Sequence, residues 1–167
     1  NSYSKSFLSK IGVATARSGN VIGGGDRGKD RLVPDIIQAI KKNKRLSLRN
    51  PNSTRPWQHV FETINGYTLL SEKLYFNKKK YSGAWNFGPI QKRISTKDIS
   101  IKIAKFWDKK VSFSHNSKIQ FKEKKYLSLN SKKSNTILKW QNKYKINETI
   151  LQIVKWEKQN LHDKNIY

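Results

Sequence analysis

Segments with the composition of β-strands alternate with amphipathic helical segments along this chain of 167 residues. Strands are expected at 11–18, 45–49, 84–88 and 109–115, helices at 32–43, 61–76 and 95–107, and two closing helices at 131–140 and 147–161. Such alternation predicts an α/β fold. Ser95 and Asp98 form an expected capping box at the third helix, and Asn147 is the expected N-cap of the last.

A glycine-rich stretch, GNVIGGGDRGKDR, follows the first predicted strand and contains a literal G-x-G-x-x-G at Gly23, Gly25 and Gly28. In a dinucleotide-binding loop the helix begins inside this motif, and an acidic residue follows about 20 positions later. Here DRGKDR separates the glycines from the helix, and no Asp or Glu occurs between Ile36 and Phe61. We therefore interpret the stretch as a flexible cationic loop at the carboxyl end of a strand, where open α/β sheets bind ligands.

The net charge of +24 is large for a chain of this length. An excess of this kind is typical of proteins that bind nucleic acid or membrane surfaces. The lysines, however, occur in pairs and triplets on ordinary amphipathic segments, as on solvated helix faces. We therefore attribute the charge to a composition that is rich in lysine throughout. A basic nucleic-acid-binding domain is the alternative, and it belongs to another functional class.

Cysteine is absent, which excludes disulfides and thiolate metal sites and fits a reducing compartment. The sequence contains no apolar run of membrane-spanning length, and no signal peptide is visible at its start. We expect a cytoplasmic protein without a metal site or a membrane partner.

Five segments of the sequence are similar to those of one enzyme family, and among them the combination of GNVIGGGD with RPWQHV is specific. The segments are ATARSGNVIGGGDRGKDRLVPDII, RNPNSTRPWQHV, GYTLLSEKLY, AWNFGP and the closing YLSLNSKKSNTILKWQNKYKINETILQIVKWEK. Together they resemble the C-terminal half of CDP-glucose 4,6-dehydratases, which belong to the NAD-dependent epimerase/dehydratases among the extended short-chain dehydrogenase/reductases. The resemblance covers nearly the whole chain. It implies the last Rossmann strands plus the small α/β substrate-binding domain, so that 1–167 is mainly the sugar-nucleotide-binding half, without the N-terminal NAD-binding half. Another nucleotide-sugar epimerase or dehydratase is the nearest alternative.

The resemblance also implies a reaction. Such enzymes use NAD to oxidise the sugar at C4, eliminate water across C5 and C6 and return the hydride to C6, which converts CDP-glucose to CDP-4-dehydro-6-deoxyglucose for O-antigen sugars. The family carries out the oxidation with a Y-x-x-x-K pair, but Phe7 stands four positions after Tyr3, and SYSKSF is expected on the helix just after the catalytic lysine. The chain has no methionine and begins with Asn1, which predicts a fragment. Because the catalytic pair and a credible NAD loop are not recognised in it, we expect it to be inactive alone. A gene fragment, an incomplete assembly, a natural short protein and a decayed remnant all stay open, and the complete enzyme is expected to be a homodimer.

The family's binding residues can be matched to positions of this chain. The substrate contacts implied are Asn20, Arg31, Leu32, Pro34, Arg55 and Asn86, with Ser18 and Gly19 near the nicotinamide of NAD. The Asn20 amide both donates and accepts hydrogen bonds, which suits the diphosphate and the sugar. The Arg55 guanidinium is expected to grip the diphosphate through paired donors, and Pro56 restrains its backbone.

Other distinctive residues have structural interpretations. His59 is expected to be a hydrogen-bonding structural residue rather than a base, and Trp57 and Trp85 are expected to pack rather than to stack on a nucleotide base. Arg27 stands where the family has an aromatic residue, which leaves the substrate preference open. Lys139 replaces a family glycine before tryptophan, and we expect a harmless change at a helix end.

Overall fold

A computed structural model of the chain describes residues 11–89, 94–115 and 124–160. Within these residues the strands are β1 Ala14–Ser18, β2 Asn20–Ile22, β3 Leu46–Leu48, β4 Thr54–Arg55, β5 Trp57–His59, β6 Gly83–Phe87, β7 Ile94–Ser95 and β8 Phe113–His115. The helices are α1 Leu32–Lys41, α2 Val60–Phe76, α3 Lys78–Tyr81, α4 Thr96–Phe106, α5 Lys132–Ile137 and α6 Ile146–Gln159. The predicted helix around SYSKSF lies outside the described residues.

The strands form pairs that bring distant segments together. Three pairs are parallel, β1 with β6, β2 with β5 and β3 with β8, whereas β4 and β7 are antiparallel. Each parallel pair is connected through at least one helix, as parallel strands require. The α/β prediction is confirmed.

The first predicted strand is shorter and less buried than the sequence indicates. Regular pairing begins only at Ala14, and the side chain of Ile11 is 59% exposed. Exposed and half-buried residues alternate along β1, so its apolar composition does not make it a core strand. The chain then continues as β2, so that Asn20 begins a second strand rather than a loop. The prediction of a single buried strand at 11–18 was therefore wrong.

Two strands in the segment TRPWQH escape prediction. β4 has only two residues and pairs with Ile94 and Ser95, while Thr54 also bridges to Tyr126. β5 is buried at all three positions although two of them are polar. Neither strand has the alternating pattern of apolar residues by which a strand is recognised, because partners far away in the chain define them.

The core consists of two apolar clusters. The larger one lies among α1, α4, α6, β3 and β5, and includes Ile36, Ile99, Ile103 and Ile150, each fully buried. The smaller one contains Leu70, Trp85, Phe87, Leu138 and Trp140 and lies under α2, beside β6. In α2, Leu70 is buried as its helical spacing predicts, but Phe61 and Ile64 are 60% and 53% exposed, so the spacing identified the buried face of that helix only in part.

Helix ends were predicted with mixed success. The Ser95 hydroxyl accepts a hydrogen bond from the backbone N–H of Asp98 at 3.0 Å, which confirms that cap. The Asn147 cap was wrong, because α6 begins one residue earlier, after Lys145, whose N–H donates to the Glu148 carboxylate at 2.8 Å. None of the helices in the described ranges is long and apolar enough to cross a bilayer.

The helix predicted at 131–140 ends at Ile137. Lys139 adopts a left-handed backbone conformation with φ +56°, which stops the helix and turns Trp140 into the smaller cluster. The glycine that the family has at this position suits that conformation, because a side chain is disfavoured there. Lys139 therefore occupies a position whose left-handed backbone conformation favours glycine.

Candidate functional site: a polar cavity at the start of α1

A cavity of about 240 Å³ lies between the start of α1 and the ends of several short strands. Its lining residues are Asn20, Asp30, Leu32, Asp35, Ser47, Leu48, Arg49, Asn50, Arg55, Trp57 and Thr96. They come from six secondary-structure elements and two loops, and they combine apolar walls with amides, two guanidinium groups and two carboxylates. A lining of this composition suits a ligand that has both a flat apolar part and charged groups.

Strand pairing places several of these residues side by side. Asn20 at the start of β2 is directly opposite Trp57 at the start of β5. The backbone N–H of Asn20 donates to the Pro56 carbonyl at 2.9 Å, which holds β2 next to the segment that carries Arg55. Thr96 closes the cavity through hydrogen bonds from its hydroxyl to the Asn50 and Pro51 carbonyls.

Arg55 is fixed by carbonyl groups. Its Nη1 donates to the Thr54 carbonyl at 3.0 Å and to the Lys124 carbonyl at 2.9 Å. The side chain is half-buried and lines the cavity. Because two carbonyls hold one end of the guanidinium, the side chain has a defined direction, as a residue that recognises an anion requires.

The two carboxylates of the cavity differ in their surroundings. Asp30, which has a left-handed backbone with φ +60°, forms an ion pair with Arg49. Asp35 lies in the first turn of α1. Burial raises the pKa of Asp35, the negative charge of Asp30 raises it further, and Arg49 partly offsets both effects.

The structure brings together three of the predicted substrate residues, Asn20, Leu32 and Arg55, around this cavity. The others lie elsewhere. Arg31 is exposed and pairs with Asp26, with 3.1 Å between Nη1 and Oδ1. Pro34 is buried within α1. Their binding roles stay predictions.

Asn86 and the two predicted NAD contacts also lie away from the cavity lining. The Asn86 amide donates to the Asn130 carbonyl at 3.2 Å. Ser18 and Gly19 lie at the junction of β1 and β2, where the Gly19 N–H donates to the Phe87 carbonyl. A Cβ at Gly19 would stand 2.2 Å from the Pro56 carbonyl oxygen, so that close approach alone requires glycine there. The proposed contacts of these residues with ligands stay predictions.

The glycine-rich loop is held by the last helix. Glu157 of α6 is fully buried and accepts hydrogen bonds from the Gly25 N–H at 3.1 Å and from Arg27 at 2.6 and 3.1 Å, and it also pairs with Lys41 at 3.0 Å. Gly25 has φ +80°, and Cβ atoms at Gly24 and Gly25 would collide with or crowd the Trp156 ring. The loop amide that faces Glu157 is thus already satisfied, and α6 contacts the loop at Gly24, Gly25 and Arg27.

The same packing shows whether the glycine-rich loop can bind a dinucleotide and where Arg27 lies. A loop that holds pyrophosphate must present backbone N–H groups at the start of a helix, whereas here Glu157 occupies the Gly25 N–H and α1 begins at Leu32. The described residues therefore do not fit the pyrophosphate of NAD at this loop. Arg27 binds Glu157 instead of lining the cavity.

Three aromatic predictions have clear structural outcomes. The His59 ring accepts a hydrogen bond through Nδ1 from the Phe61 N–H at 3.2 Å and caps α2, and burial lowers its pKa. Trp85 is 1% exposed and donates to the Tyr81 carbonyl at 2.8 Å. Trp57 is buried and donates to the Ile94 carbonyl, although an edge of it reaches the cavity. His59 and Trp85 have the structural surroundings that were predicted, whereas Trp57 is packed in the core and also lines the cavity.

Sequence reasoning missed one spacing match to Y-x-x-x-K, formed by Tyr75 and Lys79. Tyr75 is 80% exposed at the end of α2, and Lys79 lies in α3. Neither residue lines the cavity. Among the residues that the structure describes, no three His, Asp or Glu side chains are grouped closely enough to hold a metal ion.

No protein-family model matches the chain. A curated relative, CDP-glucose 4,6-dehydratase of Salmonella typhimurium strain LT2, is 40% identical over 149 residues, which are 89% of this chain and 42% of the relative. The chain thus spans less than half the length of that relative.

Solved structures of related enzymes share the fold. UDP-glucuronic acid 4-epimerase of Bacillus cereus, in complex with UDP-glucuronic acid and NAD, superimposes with a TM-score of 0.77 at 20% identity, over 95% of this chain and 48% of that one. dTDP-glucose 4,6-dehydratase of Bacillus anthracis strain Ames, in complex with NAD, gives 0.76 at 16% identity, over 99% and 50%. The chain shares the fold of these enzymes, and by sequence it is similar to a CDP-glucose 4,6-dehydratase over 89% of its length.

Proposed function

We propose that this chain is the nucleotide-sugar-binding portion of an NAD-dependent CDP-glucose 4,6-dehydratase, and that the cavity at the start of α1 receives the CDP part of the substrate. The observation that carries the proposal is the convergence of Asn20, Leu32 and Arg55 on one cavity. The resemblance assigns substrate contacts to these residues, which are up to 35 positions apart in the sequence.

The chemistry of the cavity supports this assignment. Leu32, Leu48 and Trp57 supply apolar surface for a flat base or ribose, while Asn20 and Arg55 supply donors for phosphate oxygens. The volume of about 240 Å³ is smaller than a pocket that encloses a whole drug-sized ligand. It is suited to part of a nucleotide sugar, with the remainder extending beyond the cavity.

The proposal also implies that this chain has no dehydratase activity by itself. The glycine-rich loop is occupied by Glu157, and Tyr75 and Lys79 do not line the cavity. We place the dinucleotide and the catalytic Tyr–Lys pair in the part of the relative that this chain does not span. Incubation with NAD and CDP-glucose should therefore yield no 4-keto sugar, and turnover above the blank would contradict this part of the proposal.

The binding proposal is tested by calorimetric titration of CDP into the chain and into Arg55 variants. Arg55→Ala removes a charge-assisted contact worth roughly 2–3 kcal/mol, so the affinity for CDP should fall about 30- to 150-fold. Arg55→Lys should recover only part of it, because an ammonium group lacks the paired donors of a guanidinium.

A matched control is Arg45→Ala, which removes an exposed arginine that does not line the cavity. It lowers the net charge equally and should leave CDP affinity within about twofold, since distant surface charges are screened by salt. Thermal melting of each variant separates loss of binding from loss of folding. Undiminished CDP affinity in folded Arg55→Ala would refute the role of Arg55 as the diphosphate contact.

Nucleic-acid binding is the alternative from another class. The last turns of α2, α4 and α6 each contain a lysine that reaches solvent, Lys73, Lys105 and Lys158 respectively, where cations complement the helix dipole. This distribution favours solvated faces over one basic groove. We expect DNA binding that is unspecific and falls steeply with salt. Binding to one duplex sequence about a hundredfold above scrambled controls near physiological salt would favour the alternative.

A further inference from the structure

Asp35 is the carboxylate in the cavity that the fold leaves available. It makes no hydrogen bond or ion pair within the described residues, whereas Asp30, the other carboxylate of the lining, is paired with Arg49. The Asp35 side chain is exposed and lines the cavity, and its pKa is raised first by partial burial and then by the charge of Asp30, while Arg49 lowers it. Its carboxylate oxygens can therefore accept a hydrogen bond from a ligand that enters the cavity.

Among pyrimidine nucleotides, only one common base offers such a donor at its fourth position. Cytosine carries an amino group there, for which carboxylates of Asp and Glu are the natural acceptors. Uracil carries a carbonyl oxygen at the same position, so a carboxylate would face an acceptor with no proton between them. An ionised aspartate has no donor with which to adapt.

We propose that Asp35 selects cytosine over uracil nucleotides in this cavity by accepting a hydrogen bond from the 4-amino group of the base. This inference rests on the proposed function, because it takes the cavity to be the nucleotide site. It adds a specificity-determining residue that the matched family positions did not include. Leu32 and Trp57 supply the apolar surface for the ring, and Asp35 reads its polar edge.

A purely structural role of Asp35, in which it only stabilises α1, predicts a different result for its replacement. An acidic residue in the first turn of a helix stabilises that helix through its dipole, whatever ligand is present. Replacing it would then lower the stability but change the affinities for cytosine and uracil nucleotides by the same factor. The ratio of the two affinities therefore separates selection of a base from stabilisation of α1.

The experiment is calorimetric titration of the full chain with CDP and separately with UDP. The original chain should prefer CDP by about tenfold or more, the effect of one hydrogen bond to a charged group. In Asp35→Asn, whose amide can also donate to a carbonyl, the ratio should fall to within about threefold through weaker CDP binding and stronger UDP binding. Asp35→Ser, which still suits a helix start, should lose the preference by weakening CDP binding without improving UDP binding.

Asp98→Asn is the matched control, since Asp98 occupies the first turn of α4 and does not line the cavity. It should retain the CDP preference. If the original chain binds neither nucleotide, the proposed function fails. If it binds CDP but the preference is absent, or persists unchanged in folded Asp35→Asn and Asp35→Ser, the role of Asp35 is refuted while the nucleotide site stands.

Discussion

Replacement of Glu157 by glutamine should destabilise the chain more than any exposed substitution. The carboxylate is fully buried, and its two oxygens accept from the Gly25 N–H, both Arg27 Nη atoms and Lys41 Nζ. Glutamine keeps nearly the same shape but carries no charge, and it presents two N–H donors where the structure supplies only donors. The perturbation therefore removes charge from the network and leaves its volume almost unchanged.

The expected magnitude follows from the cations left behind. The Arg27 and Lys41 side chains are only 24% and 18% exposed, so neither is well hydrated once Glu157 is neutral. Removing one member of a buried charge network costs about 3–5 kcal/mol. Because both cations reach some solvent, we expect the lower end, about 3 kcal/mol.

The assay is urea unfolding of both proteins at neutral pH and along an acid series. Burial alone would raise the pKa of Glu157, but the hydrogen bonds from Arg27, Gly25 and Lys41 outweigh burial and lower it. A carboxyl group whose pKa is lower in the folded state stabilises that state above about pH 4.3 and loses this contribution as pH falls further. The original chain should therefore lose more stability on acidification than Glu157→Gln.

A matched control is Glu148→Gln in the first turn of the same helix. Glu148 is exposed and accepts one hydrogen bond, from the Lys145 N–H, which glutamine can also accept. This variant should lose less than about 1 kcal/mol. A loss below about 1 kcal/mol for Glu157→Gln would show that the network contributes no more than an exposed cap, and would refute the reasoning.

Two further stability predictions follow from other positions. Burial lowers the pKa of His59, so the unfolded chain binds a proton on this residue more readily than the folded chain does, and the stability should fall as the pH drops through about 6.5. His59→Asn can still cap α2 and should flatten this dependence of the stability on pH in urea titrations. Lys139→Gly should raise the free energy of unfolding by about 0.5–1 kcal/mol, since glycine adopts φ +56° without the left-handed penalty of a side chain; an unchanged or lower value would contradict the strain at Lys139.

Local signals in the sequence were sufficient for the main helices. Asp35 and Lys41 at opposite ends of α1, and Ser95 with Asp98 at α4, mark helix ends through interactions within a few residues. Periodic apolar positions such as Ile99 and Ile103 then identified the buried face. These features depend on residues that are close in the chain, so a single sequence contains all the information needed to predict them.

Features that depend on distant partners were not predictable in the same way. β4 and β5 exist because β7 and β2 pair with them, and the polar buried Gln58 is stabilised by donating to Thr63 and to the Phe87 carbonyl. The resemblance placed Arg55 and Asn20 at one ligand, but it gave no sign that Asp35 lines the same cavity. The raised pKa that distinguishes Asp35 arises from burial and from Asp30, neither of which the sequence shows.

Buried carboxylates link the site to the end of the chain. Only 11 acidic residues accompany 35 lysines and arginines, yet Glu62 and Glu157 are almost completely buried. Glu62 accepts from the backbone N–H groups of Lys143 and Tyr144, and Glu157 binds a loop more than 100 residues earlier. In so cationic a chain an ionised interior carboxylate readily finds donors, so it can hold loop residues that lie outside the two apolar clusters, such as Gly25, Arg27 and Lys143. By fixing the loop that leads into α1, Glu157 sets where the chain enters the helix whose first turn presents Leu32 and Asp35 to the cavity.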